Sequence, residues 1–161
     1  MAYFKCVNQS YQWENTISNL CAYILDNRKT MGYVGGINVR PETAELEISA
    51  IQKAWGKQQG RRMRQYILSF ADEEAVTSYE ALEMGYRIGA YYAANYQIIF
   101  GVHVQRAPGE HLHIHFGMST VSFVDGRKYS GAYQDYYCLC RYIQEVLREY
   151  GCKLDQSEMM D

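Results

Sequence analysis

Apolar residues recur along the chain with two different periods, and the change from one to the other marks out the elements. Between Trp13 and Asp26, Ile17, Leu20, Cys21, Ile24 and Leu25 return at the spacing that lines one side of a helix. Ala44, Ile48, Ile51 and Trp55 form a second stripe behind Pro41 and Glu42, which suit a first helical turn, and Gly60 stops it. A third helix opens on Thr77-Ser78-Tyr79-Glu80, a capping-box pattern, and runs to Asn95 through Leu82, Gly85, Ile88, Gly89 and Tyr92. Its glycines allow close packing on a sheet. The last, about Ala132 to Tyr150, puts Tyr136, Leu139, Cys140, Ile143, Val146 and Leu147 on one side before Gly151 caps it.

The other apolar runs read as strands: residues 3–9, Tyr33 to Val39 with Gly35-Gly36 at a bend, Met63 to Phe70, and Ile98 to His103. A fifth carries His111-Leu112-His113-Ile114-His115-Phe116 and continues through Thr120 to Phe123 into the turn Asp125-Gly126. Successive side chains of a strand point to opposite faces. The alternation therefore sends three imidazoles to one face and Leu112, Ile114 and Phe116 to the core. With Ala107-Pro108-Gly109-Glu110 as the turn, the last two strands form a hairpin that brings His103 beside the triplet. Four helices and about five strands predict an α+β fold, an antiparallel or mixed sheet with helices packed against it. Residues 1–152 read as one domain and 153–161 as a loose tail.

Composition narrows the partners only a little. A net charge of -2 exerts no overall pull on nucleic acid. Charge is uneven, however: Lys53, Lys57, Arg61, Arg62 and Arg64 crowd one segment and Arg28 and Lys29 another. Each group is either a solvated face or a phosphate-contacting patch. Five cysteines, an odd number without a Cys-x-x-Cys pair, fit reduced thiols, with Cys138 and Cys140 as helix packing residues. No apolar run is long enough to span a membrane, and Met1 to Lys5 lack the shape of a signal peptide. A cytoplasmic protein with no membrane insertion is expected. Sixteen tyrosines supply stacking surface as well as core.

The four histidines all fall between residues 103 and 115. Two imidazoles on alternate strand positions, with a third from a neighbouring strand, make a facial three-nitrogen site with open positions. The choice of three stays open, because His111 and His115 share a predicted face. Such donors suit manganese, cobalt, nickel or zinc better than magnesium. Phosphate oxygens completing the shell would let magnesium or manganese serve in the cell.

From about Thr16 to Tyr150 the chain resembles the relaxase, or mobilisation nuclease, family of HUH endonucleases. Ala22-Tyr23-Ile24-Leu25 followed by Lys29-Thr30 resembles the segment with the nucleophilic tyrosine. Gly35-Gly36-Ile37-Asn38 resembles the glycine-rich strand after it, and Tyr66-Ile67-Leu68-Ser69-Phe70 with Glu74 resembles the Ser-Phe motif. Val102-His103 and His113-Ile114-His115 resemble the metal motif, and Asp125-Gly126-Arg127-Lys128 the turn that often follows. Three positions depart from the pattern: Gln105 stands where such relaxases carry aspartate, Ser119 where they carry asparagine, and Gln65 where a histidine often stands. A second carboxylate orients a ligating imidazole, so a neutral Gln105 calls for a substitute partner.

The resemblance implies an HUH-endonuclease-like fold and a divalent metal on His103, His113 and His115, with His111 able to replace His115 and with His111 and Gln105 as supporting candidates. It implies that Tyr23 nicks and rejoins single-stranded DNA at a transfer origin, with accessory relaxosome proteins as partners. Neither Tyr11 nor Tyr33 stands six residues ahead of a Lys-Thr pair as Tyr23 does. Ser69, Arg61, Arg62, Arg64 and Lys29 are the expected DNA contacts. Two other readings compete. One is a DNA-binding module of this fold that has lost catalysis. The other is a histidine-triad nucleotide hydrolase or transferase, which His111 to Phe116 also resemble, although Gly117 takes its last apolar place.

Overall fold

The computed structural model describes residues 1–156. Five antiparallel strands form one sheet: β1 (Tyr3–Cys6), β2 (Val34–Ile37), β3 (Met63–Ser69), β4 (Ile98–His103) and β5 (His113–Ser119), in the order β1-β3-β5-β4-β2. Helices α1 (Thr16–Ile24), the single turn α2 (Asn27–Thr30) and α3 (Ala44–Ala54) precede β3. Helix α4 (Ser78–Gly89) lies before β4, and α5 (Tyr133–Arg148) follows the sheet.

Period-two alternation divides the core between the two faces of the sheet. Phe4, Tyr66, Leu68, Phe100, Ile114 and Phe116 pack on one face with α4 and α5, whose Met84, Ile88, Leu139 and Ile143 are buried there. On the other face Met63 and Ile99 pack with Ile17, Leu20 and Ile24 of α1 and Ile48 of α3. The capping box forms: Glu80 N donates to Thr77 Oγ1 at 3.0 Å, and Thr77 N donates to Glu80 Oε1 at 3.0 Å. Gly85 does what its position suggests, since a Cβ there would lie 2.3 Å from the Phe100 ring. Many of the tyrosines gather on the α4/α5 face, where Tyr92 and Tyr96 meet Tyr129 edge to face and Asp135 accepts from Tyr91, Tyr92 and Tyr129.

Several boundaries differ from those the periodicity predicts. β1 ends at Cys6 and α1 begins at Thr16, because a left-handed residue, Tyr11 (φ 45), turns the chain between them. α4 closes at Gly89 in a 3-10 turn, and residues 120–123 leave the strand for a turn held by a Val121–Lys128 bridge. The expected tail is docked at its start: Leu154 is buried and bridges Ala2 in parallel, with Asp155 N donating to Ala2 O at 2.7 Å. Residues 157–161 of that expected tail lie outside the described residues. No helix among the described residues is long and apolar enough to cross a membrane.

Candidate active site

Register brings three histidines together. His103 pairs with His113 across the β4–β5 hairpin, and His115 lies between Gly101 and Ile67 of the neighbouring strands. All three imidazoles project from the α1 face, with ring centroids 4.1 Å apart for His103 and His115, 4.7 Å for His113 and His115, and 5.3 Å for His103 and His113. One ligand atom from each lies within 4.8 Å of the others.

Hydrogen bonds fix how each ring is presented. A carbonyl oxygen only accepts, so the His103 Nε2–H donates to Ile24 O (3.1 Å) and leaves Nδ1 with its lone pair. By the same logic the His113 Nδ1–H donates to His111 O (2.7 Å) and frees Nε2. His115 Nδ1 meets Gln65 Nε2 at 2.9 Å, and the Tyr11 hydroxyl donates to Gln65 Oε1 at 2.7 Å. His115 Nε2 is buried without any partner. Burial pushes the His103 imidazole down to about 4 and that of His115 down to about 2, with the neighbouring rings and Lys29 adding to the effect. An amide nitrogen only donates, so in this arrangement His115 Nδ1 accepts and its proton stays on Nε2; turning the Gln65 amide over, with Oε1 accepting from His115 Nδ1–H and Nε2 donating to Tyr11 Oη, frees the orphaned Nε2 for a divalent metal beside His103 Nδ1 and His113 Nε2.

His111 does not join them. β5 begins at His113, and two residues earlier the chain is already loop; the exposed His111 side chain turns to Asp72 at 3.3 Å. Gln105 is also exposed in the 104–112 loop and hydrogen-bonds to none of the three rings. The partner expected of it is supplied by Gln65, from the adjacent strand.

Tyr23 reaches the cluster from the last turn of α1. Its ring lies edge-on to His103 (5.3 Å) and to His115 (5.2 Å), and Lys29 Nζ stands 5.6 Å from its centroid. Gly101 permits this approach: a Cβ there would lie 2.1 Å from Ile24 O. Gly117 is similar, with a would-be Cβ 2.8 Å from Ile24 Cδ1. Thr30 of the Lys-Thr pair is buried, its hydroxyl donating to Asp26 O, so it holds α2 in place while Lys29 faces the tyrosine.

Residues 23–152 match the family model of the relaxase, MobA/VirD2-like, nuclease domain. The chain belongs to this family. The match begins at Tyr23 itself and takes in the three clustered histidines, and the antiparallel α+β sheet accords with a relaxase HUH-like fold. No curated protein matches the chain.

The remaining expected positions in this relaxase domain divide by face. Ser69 pairs with His113 and shares its face. Arg61 is partly exposed and close enough for its charge to act on Tyr11. Arg62 is buried, its Nε donating to Gln52 Oε1 at 3.0 Å, and Arg64 points to the opposite face, its guanidinium 5.1 Å from the Tyr129 ring. The basic segment is therefore not one patch. Ser119, in the place of the usual asparagine, is buried at the far end of β5, where its hydroxyl accepts from Gln52 Nε2 at 3.0 Å. Tyr11, in sequence no more than a rival nucleophile, braces Gln65, and the exposed Lys5, which no sequence motif marks, brings its charge to bear on His115. Lys5 pairs with Ile67 beside His115, a relation visible only once the β1–β3 register is known.

Proposed function

We propose that this domain nicks and rejoins single-stranded DNA at a transfer origin, by transesterification through Tyr23, during mobilisation of a plasmid or conjugative element. The observation that carries the reading is the Tyr23 ring set edge-on to both His103 and His115. That ring adjoins the one cluster among the described residues that could hold a metal ion, which supports its hydroxyl as the nucleophile. His103, His113 and His115 would hold it, magnesium or manganese in the cell and manganese, cobalt, nickel or zinc in vitro. A divalent cation there supplies Lewis acidity toward the non-bridging phosphate oxygens.

Tyr23 Oη attacks the scissile phosphorus, forming an O–P bond as the bond from phosphorus to the 3′ oxygen breaks. The phenolic proton ends, net, on that 3′ oxygen. The 5′ end stays on Tyr23, and the phosphodiester energy kept there lets the step run backwards to rejoin the strand. Lys29 and Lys5 bring positive charge to the phosphate, and Ser69 offers a hydroxyl on the same face. Gln65 orients His115. We place the activity in the cytoplasm, with accessory relaxosome proteins as partners.

The histidine-triad reading needs His111, His113 and His115 on one strand face, and His111 lies in the loop. The test of the nuclease reading is incubation with a pool of single-stranded oligonucleotides and manganese, followed by a denaturing gel. A protein–DNA adduct that requires metal supports it. Strand binding with no adduct under any of several metals favours the module without catalysis, and metal-free hydrolysis of adenosine phosphoramidates favours the triad.

A further inference from the structure

Beside Tyr23 an open cleft of about 300 Å³ lies between the segment 9–16 and α1, and Lys29 is not among its lining residues. Its lining includes three aromatic residues, Tyr11, Trp13 and Tyr23, and four amide residues, Gln9, Asn15, Asn19 and the Gln65 that bonds Tyr11 and His115. No lysine, arginine, aspartate or glutamate lines it. The exposed Gln9, Asn15 and Asn19 side chains make no hydrogen bond with any described residue, although Asn15 occupies the N-cap of α1, where such a side chain commonly bonds the first turn.

The segment is held in place. Trp13 N donates to Thr16 Oγ1 (3.0 Å) and Thr16 N to Trp13 O (3.1 Å), so an anchored backbone presents a tryptophan that is 65% exposed. Tyr11 keeps its left-handed backbone because Arg62 N donates to its carbonyl at 2.8 Å while its hydroxyl is bound to Gln65. A non-glycine residue in that region persists where its surroundings over-determine it.

We propose that this cleft is a subsite for one nucleobase adjoining the phosphate that Tyr23 attacks. Aromatic faces stack any base, and neutral amides bond the donors and acceptors on its edge. A phosphate finds no cation in the lining; the positive charge stands outside, at Lys29 over the Tyr23 ring and at Arg61 near Tyr11. The division puts the base in the cleft and the backbone at the histidines. Most of the cleft's lining lies between residues 9 and 20, ahead of the matched region 23–152. The proposal rests on the reading that Tyr23 acts on a DNA strand.

Trp13 and Trp55 are the chain's two tryptophans, so Trp55→Phe makes Trp13 the sole indole reporter. The probes are short homopolymeric oligodeoxynucleotides and an abasic strand of equal length, each labelled with fluorescein for anisotropy. Base-bearing strands should change Trp13 emission, and the abasic strand should bind without doing so. With Trp55 retained, Trp13→Ala should weaken the base-bearing strands about tenfold or more, as loss of one stacked base implies, and leave the abasic strand unchanged. Asn15→Ala with Asn19→Ala should narrow the differences among homopolymers. Strands that bind by anisotropy with no Trp13 response, or an abasic strand that perturbs Trp13 equally, would overturn the subsite and leave the nuclease reading standing. Absence of any anisotropy change would remove both.

Discussion

His103 donates from Nε2 to the carbonyl of Ile24, 3.1 Å away, and so ties the end of β4 to the last turn of α1, one residue beyond Tyr23. The same bond orients a candidate metal ligand and positions the candidate nucleophile. Ligand geometry and nucleophile placement are thereby coupled through a single carbonyl.

The first consequence concerns the metal. Replacing His113 and His115 together by alanine removes two of the three nitrogens from one strand and should abolish binding of manganese, nickel or zinc. Calorimetry decides it: affinity equal to that of the wild type would mean the cation sits elsewhere.

Gln65 stands in for the missing carboxylate. Gln65→Leu conserves bulk but leaves His115 Nδ1 without its partner, and metal affinity should fall by roughly 10–100-fold. Tyr11→Phe, which removes the hydroxyl donated to Gln65, should act in the same direction and more weakly. Titrations that show no change in Gln65→Leu would reduce this contact to simple packing.

Gly101 carries a steric prediction. Gly101→Ala drives a methyl group into Ile24 O, and overpacking of this kind costs about 1–3 kcal/mol. Denaturant unfolding should report that loss, and metal affinity should drop with it as the α1 end shifts from His103. Full stability in the variant would show that α1 is free to move away.

Two adjacent arginines should behave differently. Arg61→Ala should lower the salt slope of single-stranded DNA binding by about 0.7, the value for one neutralised phosphate. Arg62→Ala should leave the slope alone and cost about 1–3 kcal/mol of stability, because its buried guanidinium bonds Gln52. Salt titrations and unfolding curves separate them. The reverse pattern would put Arg62 on the DNA.

Local periodicity made the helices, the strands and the pairing of His103 with the later histidines legible, since each depends on residues close in sequence. His113 and His115 share a face for that reason. His111 has the same spacing yet leaves the set, because pairing in β5 starts at His113, and no spacing rule states where a strand begins. The split of Arg64 from Gln65 follows from strand alternation, which the crowding of charge in that segment obscured. Tyr23 beside the histidines and Gln65 against His115 depend on register and on glycines at 101 and 117, contacts between segments far apart in the chain. The family resemblance pointed to Tyr23 where periodicity had no means to do so.

Nicking through Tyr23 would leave that residue joined to DNA. Tyr23→Phe keeps the ring and its contacts with His103 and His115 while deleting the attacking oxygen, so folding and metal binding should survive as nicking disappears. Mass spectrometry of the digested adduct measures this most directly. The wild type should carry a nucleotide on the peptide containing Tyr23 and Tyr23→Phe should form no adduct; an adduct persisting in Tyr23→Phe, or mapped to another tyrosine, would rule Tyr23 out as the nucleophile.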